Sequence, residues 1–491
     1  MASTFNGLEV AKRALHTQQA ALYTTGHNIS NANTEGYTRQ RVNMQASSPY
    51  PPASRNRPEI PGQVGSGVEV GSVERIRDSF IDKQYRQENT KVGYYTSKAE
   101  MMSQMEDILN EPSDEGLAKT MDQFWESLED LSVNPEDSGA RSVVLERGKS
   151  VAETFQYLNS SLEGVRDNLR NEISVDNTEV NSLIDQISQL NGQIEKIEPH
   201  GYVPNDLYDK RDKLIDELSE YADIEVSYEP AGGNPSPLAQ GNVTIKITEG
   251  LSSEVKLIDG ATGDVNHFTV STDNTTGDVD QISIGTNNFD PEDYNVNGKL
   301  KALIEGVGYT DGGNAVGEYK QMLTDLDTLA ENFINEFNAV HQTGYSYNGD
   351  QNINFFSGSS ASTIEVAIDD EFDIAAGNTD AQGDGENAVD LSNVYTEAGV
   401  INGDSSIKGY YESVIGKMGV NAEEANRMQS NSEVLKQQVQ ENRQSISSVS
   451  LDEEMTNLIQ YQHAYNAAAR NMTAVDEMLD RIINNMGLVG R

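Results

Sequence analysis

The chain has 491 residues, of which 36% are hydrophobic, and it carries 79 acidic against 35 basic side chains, for a formal net charge of −44. This length accommodates about three domains, and the low apolar fraction favours thin, elongated domains over one large core. The negative charge opposes binding of nucleic acid or an anionic membrane through a basic surface. The absence of cysteine excludes disulfides, thiolate metal sites and cysteine nucleophiles.

The first fifteen residues, MASTFNGLEVAKRAL, have no basic segment followed by a continuous apolar stretch, so they do not form a cleavable secretory signal. No window of the sequence approaches the ~20 apolar residues of a membrane helix. If the protein leaves the cell, we expect it to use a route that needs no cleaved signal peptide.

Both ends of the sequence predict helices with an apolar side chain at about every seventh position. In residues 5–29 the repeat consists of Leu8, Leu15, Leu22 and Ile29. In residues 451–486 the candidate interface residues are Leu458, Tyr465, Met472, Leu479, Ile482 and Met486. A seven-residue repeat is typical of a coiled-coil seam, which needs a partner helix to cover it. We therefore expect the two ends to lie side by side.

The first helix ends in the polar sequence NISNANTEGYTRQ, residues 28–40. Asn31 and Asn33 have short side chains that can bond to the free backbone groups of a helix end. Gly36 permits a positive φ, and Tyr37 begins a predicted strand. An ordinary helix end explains one asparagine and one glycine but not the whole motif. On its residues alone, an ordinary turn stays a physically adequate interpretation of this stretch.

The middle of the chain changes character several times. Residues 47–62 contain five prolines and predict an extended linker, and residues 62–76 resemble a glycine-bounded hairpin. Residues 78–218 have apolar residues at three- and four-residue intervals, which indicates helices; the stretch 150–197 fits either one helix or two. Short β-branched runs after Ile224 indicate an all-β segment.

These patterns predict an α+β fold that is elongated and multi-domain. Both termini form an antiparallel helical bundle or coiled-coil stalk, and an all-β domain is inserted between them. The predicted terminal assembly domain comprises 1–60 and 450–491. The predicted helical rod domain comprises 61–222, 298–342 and 406–449, and the inserted β-rich domain comprises 223–297 and 343–405.

Candidate catalytic and metal motifs fail on their spacing, so we predict no enzyme, cofactor or metal site. RGKS at 147–150 lacks the first glycine of a phosphate-binding loop, because position 143 is valine. No two of the six histidines have the four-residue spacing of a helical zinc site. Trp125 lies at helical spacing with Met121 and Leu128, which indicates core packing. A carboxylate pair for glycoside hydrolysis has no local signature here, although an acidic chain leaves it open.

Two stretches near the ends of the chain and three internal stretches resemble a known family. NISNANTEGYTRQ and, near the other end, VSLDEEMTNLIQYQHAYNAAARNMTAVDEMLDRIIN are similar to the two ends of bacterial flagellar axial proteins. SGVEVGSVERIRDSFIDKQYR, MEDILNEPSDEGLAKTMDQFWESLEDLSVNPEDSGAR and FINEFNAVHQTGYSYNGD resemble, more specifically, the hook-associated protein 1 family at the hook–filament junction. The resemblance covers roughly residues 1–220, 298–356 and 405–491. It implies that the asparagine motif is a hinge, where the first helix turns into an arm that contacts neighbouring subunits.

The resemblance implies a non-enzymatic, extracellular polymer subunit of the flagellum, without a cofactor, that the flagellar type III apparatus exports without a cleaved signal. The implied partners are further copies in a ring or tube, the hook protein, the distal junction protein that leads to flagellin, and an export chaperone on the C-terminal helix. Because isolated seamed helices are marginally stable, we expect the terminal helices to be largely unfolded in the monomer and to order on assembly.

Two alternatives stay open at this stage. The chain could be another axial protein, either the hook protein or the distal junction protein. It could also carry a glycan-binding or glycan-cleaving β module, which would need paired carboxylates or an aromatic platform in residues 223–297 or 343–405.

Overall fold

The computed structural model describes residues 5–51, 55, 62–109, 116–273, 275–397, 399, 401 and 405–485. The helices are α1 Asn6–Ser30, α2 Ser79–Leu109, α3 Leu117–Val133, α4 Ser138–Ile197, α5 Asn205–Tyr221, α6 Lys299–Val307, α7 Glu318–Thr343, α8 Glu386–Asn393, α9 Ile407–Ser447 and α10 Leu451–Asn485. The strands are β1 Gln40–Ala46, β2 Val68–Arg75, β3 Glu225–Glu229, β4 Asn242–Ile247, β5 Val255–Ile258, β6 Phe268–Thr272, β7 Val279–Ile284, β8 Asn287–Phe289, β9 Tyr309–Asp311, β10 Asn314–Val316, β11 Phe356–Ser357 and β12 Glu365–Val366. The α+β prediction is confirmed.

The axis of the molecule is α4, a single helix of 60 residues. At 1.5 Å per residue it is about 90 Å long. Because α4 is continuous from Ser138 to Ile197, the stretch 150–197 belongs to one helix and not two. The Asp137 side chain accepts a hydrogen bond from the backbone N–H of Gly139 and caps the first turn. Buried residues recur at three- and four-residue intervals along α4, and other elements pack against them over its whole length.

An aromatic cluster forms the core beside the first half of α4. Trp125 is buried, as predicted, and its ring stacks on Tyr395 with 5.2 Å between centroids. Phe124 lies beside it and contacts Phe355 at 5.8 Å between centroids. Gly148 of α4 faces this cluster, and a β-carbon at Gly148 would lie 2.6 Å from the Phe355 ring. A residue without a side chain is therefore required there for the helix to approach the rings.

The inserted all-β segment consists of two antiparallel three-stranded sheets, β3–β4–β5 and β6–β7–β8, which pack against the second half of α4. Two asparagines of α4 hold one strand of each sheet. Asn181 Nδ2 donates to Phe268 O at 2.8 Å while its Oδ1 accepts from Phe268 N at 2.7 Å. Asn191 makes the same pair of bonds with Val243, at 2.9 and 3.0 Å. Each side-chain amide thus replaces a neighbouring strand.

Residues 343–405 lie elsewhere on α4, although the sequence predicts one domain with 223–297. Gln156 of α4 donates to Ile364 O at 2.7 Å, 25 residues before Asn181 and so about 40 Å from it along the helix. The described residues of this second stretch form two strands of two residues each and the helix α8. Its apolar side chains join the aromatic cluster beside the first half of α4. The stretch 223–297 packs against the second half, so the two stretches belong to different parts of the fold.

The strands β1 and β2 pair antiparallel from Gln40–Arg75 to Ala46–Val68, with a bulge at Asn43/Met44. The hairpin predicted within residues 62–76 is wrong, because that segment supplies one strand whose partner is β1. The boundary predicted at 60/61 consequently separates two strands of one sheet. We call α1, β1, β2 and α10 together the terminal unit.

Two helix pairs carry the ends of the chain. α2 packs along α9, with Ala99, Met102, Ala422 and Ala425 forming a small buried cluster between them. α1 packs along α10, and only residues 448–450 separate α9 from α10. The prediction that both ends form a helical stalk is confirmed.

Candidate assembly interface

The helices α1 and α10 run antiparallel. Near one end of the pair, a β-carbon at Gly7 would lie 3.4 Å from Val475 Cγ2. At the other end, Asn28 Nδ2 donates to Glu454 Oε2 at 3.2 Å. Asn28 follows Gly7 by 21 residues and Glu454 precedes Val475 by 21 residues, so the register is constant along the pair.

The seven-residue repeat of α1 does not mark its most buried face. Leu8, Leu15, Leu22 and Ile29 are only half-buried. The fully buried side chains of α1 are small or polar: Ala11, Thr17, Ala21, Thr25 and Asn28. The reason is that α1 lies between α10 and the β1–β2 sheet, and small residues let both neighbours approach. The Thr17 hydroxyl donates to Val68 O of β2 at 3.2 Å.

On α10 the predicted interface residues are distributed over more than one face. Leu479 is buried, and Leu458 and Met472 are half-buried. Tyr465 and Ile482 are exposed, at 36% and 41% of their surface. Met486 lies outside the described residues. The structure thus buries some of the predicted residues wholly or in part and leaves others on the surface.

The helix pair α1–α10, which we call the terminal pair, leaves large apolar side chains exposed. Tyr23 of α1 is 70% exposed, and Met455 and Ile459 of α10 are more than half exposed. Met478 and Ile483 add to this surface further along α10. Large exposed apolar side chains that lie together mark candidate protein–protein contacts.

The asparagine motif builds the turn that the sequence predicts. Asn31 Nδ2 donates to His27 O at 3.0 Å, a helix-end carbonyl that also accepts from the backbone N–H of Asn31. Gly36 has a φ of 78°, and a β-carbon there would lie 3.3 Å from Lys213 Cβ. Asn33 is exposed. The positive φ predicted for Gly36 is confirmed, and the strand begins at Gln40 and not at Tyr37 as predicted. Contact of these residues with other copies stays a prediction.

Asn28 organises the motif, and our site prediction omitted it. Its Nδ2 donates to Gln40 O at 2.8 Å and its Oδ1 accepts from Gln40 N at 3.0 Å. The Tyr37 hydroxyl also donates to Asn28 Oδ1, at 2.8 Å. Burial, together with the carboxylates of Asp206 and Asp209, raises the pKa of Tyr37, so this hydroxyl keeps its proton. One buried amide thus holds the end of α1 against the start of β1.

Arg39 ties this turn to α10. Its Nε donates to Glu454 Oε1 and its Nη1 donates to Glu453 Oε2, both at 2.9 Å. The hydrogen bond from Arg39 lowers the pKa of Glu453. Both carboxylates lie in the first turn of α10, where the helix dipole also favours negative charge. Sequence reasoning missed this pairing, because its partners are more than 400 residues apart.

The terminal pair carries a band without acidic residues. Residues 10–34 and 455–475 contain no Asp and no Glu. At the chain's average of 79 acidic residues in 491, these 46 positions would contain about seven acidic residues. Because the helices are antiparallel, the two stretches lie side by side over about 30 Å. We call this surface the acid-free band; the gap in the acidic residues is a signal that the sequence alone could have supplied.

The β-rich part contains an open acidic cleft of about 560 Å³. Its acidic lining residues are Asp273, Asp278, Asp280, Asp290, Glu292 and Asp311. The hydrogen bond and the charge of Asp311 raise the pKa of Glu292, while Asp278 is bound by Arg166 and Lys320. Among the described lining residues, Tyr309 is the one aromatic. The described lining thus has no aromatic platform, whereas Glu292 and Asp311 form a pair of carboxyl groups within it.

Within the described ranges, no group of three or more His, Asp or Glu side chains is placed to hold a metal ion. No helix in the same part of the chain has both the length and the apolarity required to cross a membrane.

Three family models match this chain. Residues 102–356 match the helical domain of flagellar hook-associated protein FlgK. Residues 440–486 match the C-terminal model of the flagellar basal body rod FlgEFG proteins, and residues 8–38 match the flagella basal body rod protein model. The last two matches contain α10 and the asparagine turn.

Individual relatives agree with these models. Flagellar hook-associated protein 1 of Bacillus subtilis (strain 168) is 47% identical over 507 aligned residues, which cover 100% of both chains. The protein of the same name from Escherichia coli (strain K12) is 28% identical over 361 residues, covering 71% of this chain and 59% of its own.

A solved structure, that of the flagellar hook junction protein FlgK from Burkholderia pseudomallei, has a similar fold. Its TM-score is 0.58 at 13% identity, and the match covers 76% of this chain and 100% of the other. With a full-length relative at 47% identity and a family model that matches residues 102–356, the chain belongs to the flagellar hook-associated protein 1 family.

Proposed function

We propose that this protein is a structural subunit of the bacterial flagellum that joins the hook to the filament and assembles with further copies through α1 and α10. The observation that carries the proposal is the acid-free band on a chain of net charge −44. Family membership supports the flagellar role.

The band has a direct physical reason in an assembling protein. Copies that each carry a charge of −44 repel one another, and like charges placed opposite each other in an interface cost several kcal/mol. Assembly therefore requires a contact surface from which carboxylates are excluded. The band is such a surface, and the exposed Tyr23, Met455 and Ile459 give it apolar area to bury.

The geometry of such contacts decides the form of the assembly. A surface that packs against a different surface of the next copy does not close on itself as a two-fold dimer does. Repeated around an axis, these contacts give a ring or a tube. The asparagine turn places β1 and β2 beside the pair, so we assign to this arm the contact with neighbouring copies.

Membership of the family supports a proposal for the partners and the location. The hook protein contacts one side of the ring, and the distal junction protein that leads to flagellin contacts the other. The protein acts outside the cell and is exported without a cleaved signal peptide. Before export, the exposed apolar residues of α10 need a cover, and an export chaperone bound to this C-terminal helix supplies it.

Deletion of the gene in the source bacterium tests the proposal. We expect cells with complete hooks and no filaments, with unattached flagellin in the medium, and we expect a plasmid copy of the gene to restore filaments. Normal filaments on the deletion strain would refute the junction role. Loss of the hooks themselves would instead indicate the hook protein or another component on the cell side of the junction.

A further inference from the structure

The helix α5 presents a row of four aspartates along one face. Asp206, Asp209, Asp212 and Asp216 follow one another at intervals of three, three and four residues, which places them on the same side of a helix. All four carboxylates have hydrogen-bonding or ionic partners on other elements of the fold. We call this row the aspartate ladder.

The first two aspartates reach the terminal unit. Asp206 Oδ1 accepts from Gln40 Nε2 at 3.1 Å. Asp209 Oδ2 accepts from the backbone N–H of Thr38 at 3.1 Å, and its Oδ1 accepts from Arg75 Nη1 at 2.8 Å. The side chains of Arg75 and Asp209 are only 4% and 7% exposed. These bonds hold the start of β1 and the end of β2 against α5.

The last aspartate reaches two helices outside the terminal unit instead, and we call the elements from α2 to α9 the rod. Asp216 Oδ1 accepts from Arg86 Nε of α2 at 2.7 Å, and Asp216 Oδ2 accepts from Arg443 Nη2 of α9 at 2.5 Å. Asp212 lies between the two groups and binds Arg75 Nη1 and Arg77 Nη1, both at 2.9 Å. The ladder therefore changes partners along its length, from the terminal unit to the rod.

Apolar packing does not continue across this joint. The main cluster of buried hydrophobic residues in the described chain extends from Met101 to Met418 and includes none from α1, β1, β2 or α10. The contacts between α5 and the terminal unit are polar and directional. A joint of this kind fixes one orientation, and it can open without exposing the core of the rod.

We propose that the aspartate ladder is a divided clasp, in which Asp206 and Asp209 orient the terminal unit on the rod while Asp216 holds α2 and α9 to α5. The division of roles is independent of the protein's biological function. Its consequence rests on the proposed function: because the terminal unit carries the assembly helices, the clasp sets the angle at which they meet neighbouring copies.

Hydrogen exchange measured by mass spectrometry on the full-length monomer tests the division. The variant is Asp209→Asn, which keeps the shape of the side chain and removes its charge, and Asp216→Asn is its matched counterpart on the same helix face. In Asp209→Asn we expect the amides of β1 and β2 to exchange at least tenfold faster, with α2 and α9 at wild-type rates. In Asp216→Asn we expect the reverse pattern.

Two results would overturn the proposal. If Asp209→Asn accelerates exchange equally in the terminal unit and the rod, the two are one cooperative unit; if it leaves β1 and β2 unchanged, the aspartate does not hold them. Should Asp209→Asn fail to fold, Gln40→Ala removes the bond to Asp206 and must give the same pattern at smaller amplitude. Because the measurement uses the monomer, its result is separate from whether the protein joins hook to filament.

Discussion

His341 of α7 is a buried histidine whose bonds require the neutral ring. Its side chain is fully buried; Nδ1 donates to Ile353 O at 2.8 Å, and Nε2 accepts from the backbone N–H of Ala375 at 3.0 Å. A second proton would have to sit on Nε2, facing another donor. Burial lowers the pKa of His341 from 6.5 to about 4.

This pKa shift predicts a loss of stability in mild acid. Between about pH 6.5 and 4 the unfolded chain binds a proton at this residue and the folded chain does not, so the free energy of unfolding falls as the pH falls. The contribution is fully present above about pH 6.5. From about pH 7.5 to pH 5 we expect a loss of about 2 kcal/mol from this residue, out of about 3 kcal/mol at lower pH.

Urea unfolding at the two pH values measures the effect. The variant His341→Gln retains a donor and an acceptor but has no proton to gain, so its free energy of unfolding should fall by about 2 kcal/mol less than that of the wild type. His200→Gln, at an exposed position, is the matched control and should behave like the wild type. Equal losses in wild type and His341→Gln would refute the reasoning.

Three further predictions concern glycines and the terminal helices. Gly36→Val should abolish filament attachment, because a β-branched residue is strained at a φ of 78° and its β-carbon would press on Lys213. Gly164→Ala, on α4 outside the acid-free band and with open space around the new methyl group, should retain filaments, and a functional Gly36→Val would contradict this account of the turn. Gly148→Ala should lower the free energy of unfolding by about 1–3 kcal/mol in thermal or urea melts through overpacking against Phe355, and an unchanged stability would be inconsistent with that contact. Brief proteolysis of the monomer should cut α1 and α10 before the rod, because few of their side chains are fully buried and the terminal unit opens without exposing the core of the rod; ends that resist as long as the rod would contradict this difference in local stability.

Sequence periodicity predicted the long helices and the pairing of the two ends. Both features depend on the spacing of apolar residues, which repeats regularly over many residues in α1, α4 and α10. It did not identify the buried face of α1. The leucine repeat and the stripe of small residues around Ala11 and Ala21 are both regular, and only the neighbouring β1–β2 sheet decides between them.

Pairings between distant residues could not be predicted at all. Arg39 is matched to Glu454, and the partner of β2 is a strand that precedes a proline-rich stretch. The three-residue spacing of aspartates on α5 was visible in the sequence, but the spacing alone does not distinguish a solvated helix face from one that binds four other elements. For the same reason, contacts of Asn33 and Gly36 with other copies remain predictions.

The central claim is that copies assemble through the acid-free band, and a single added charge tests it most directly. Gln462 is exposed on α10 within the band, and Gln193 is exposed on α4 outside it. The deletion strain is complemented with the gene for each glutamate variant, and the fraction of cells with filaments is counted. Thermal unfolding first confirms that both purified variants melt at the wild-type temperature. We expect Gln462→Glu to reduce this fraction at least tenfold, because a like charge then recurs at every contact between copies, and Gln193→Glu to match the wild type. Filaments at wild-type frequency with Gln462→Glu would contradict the account.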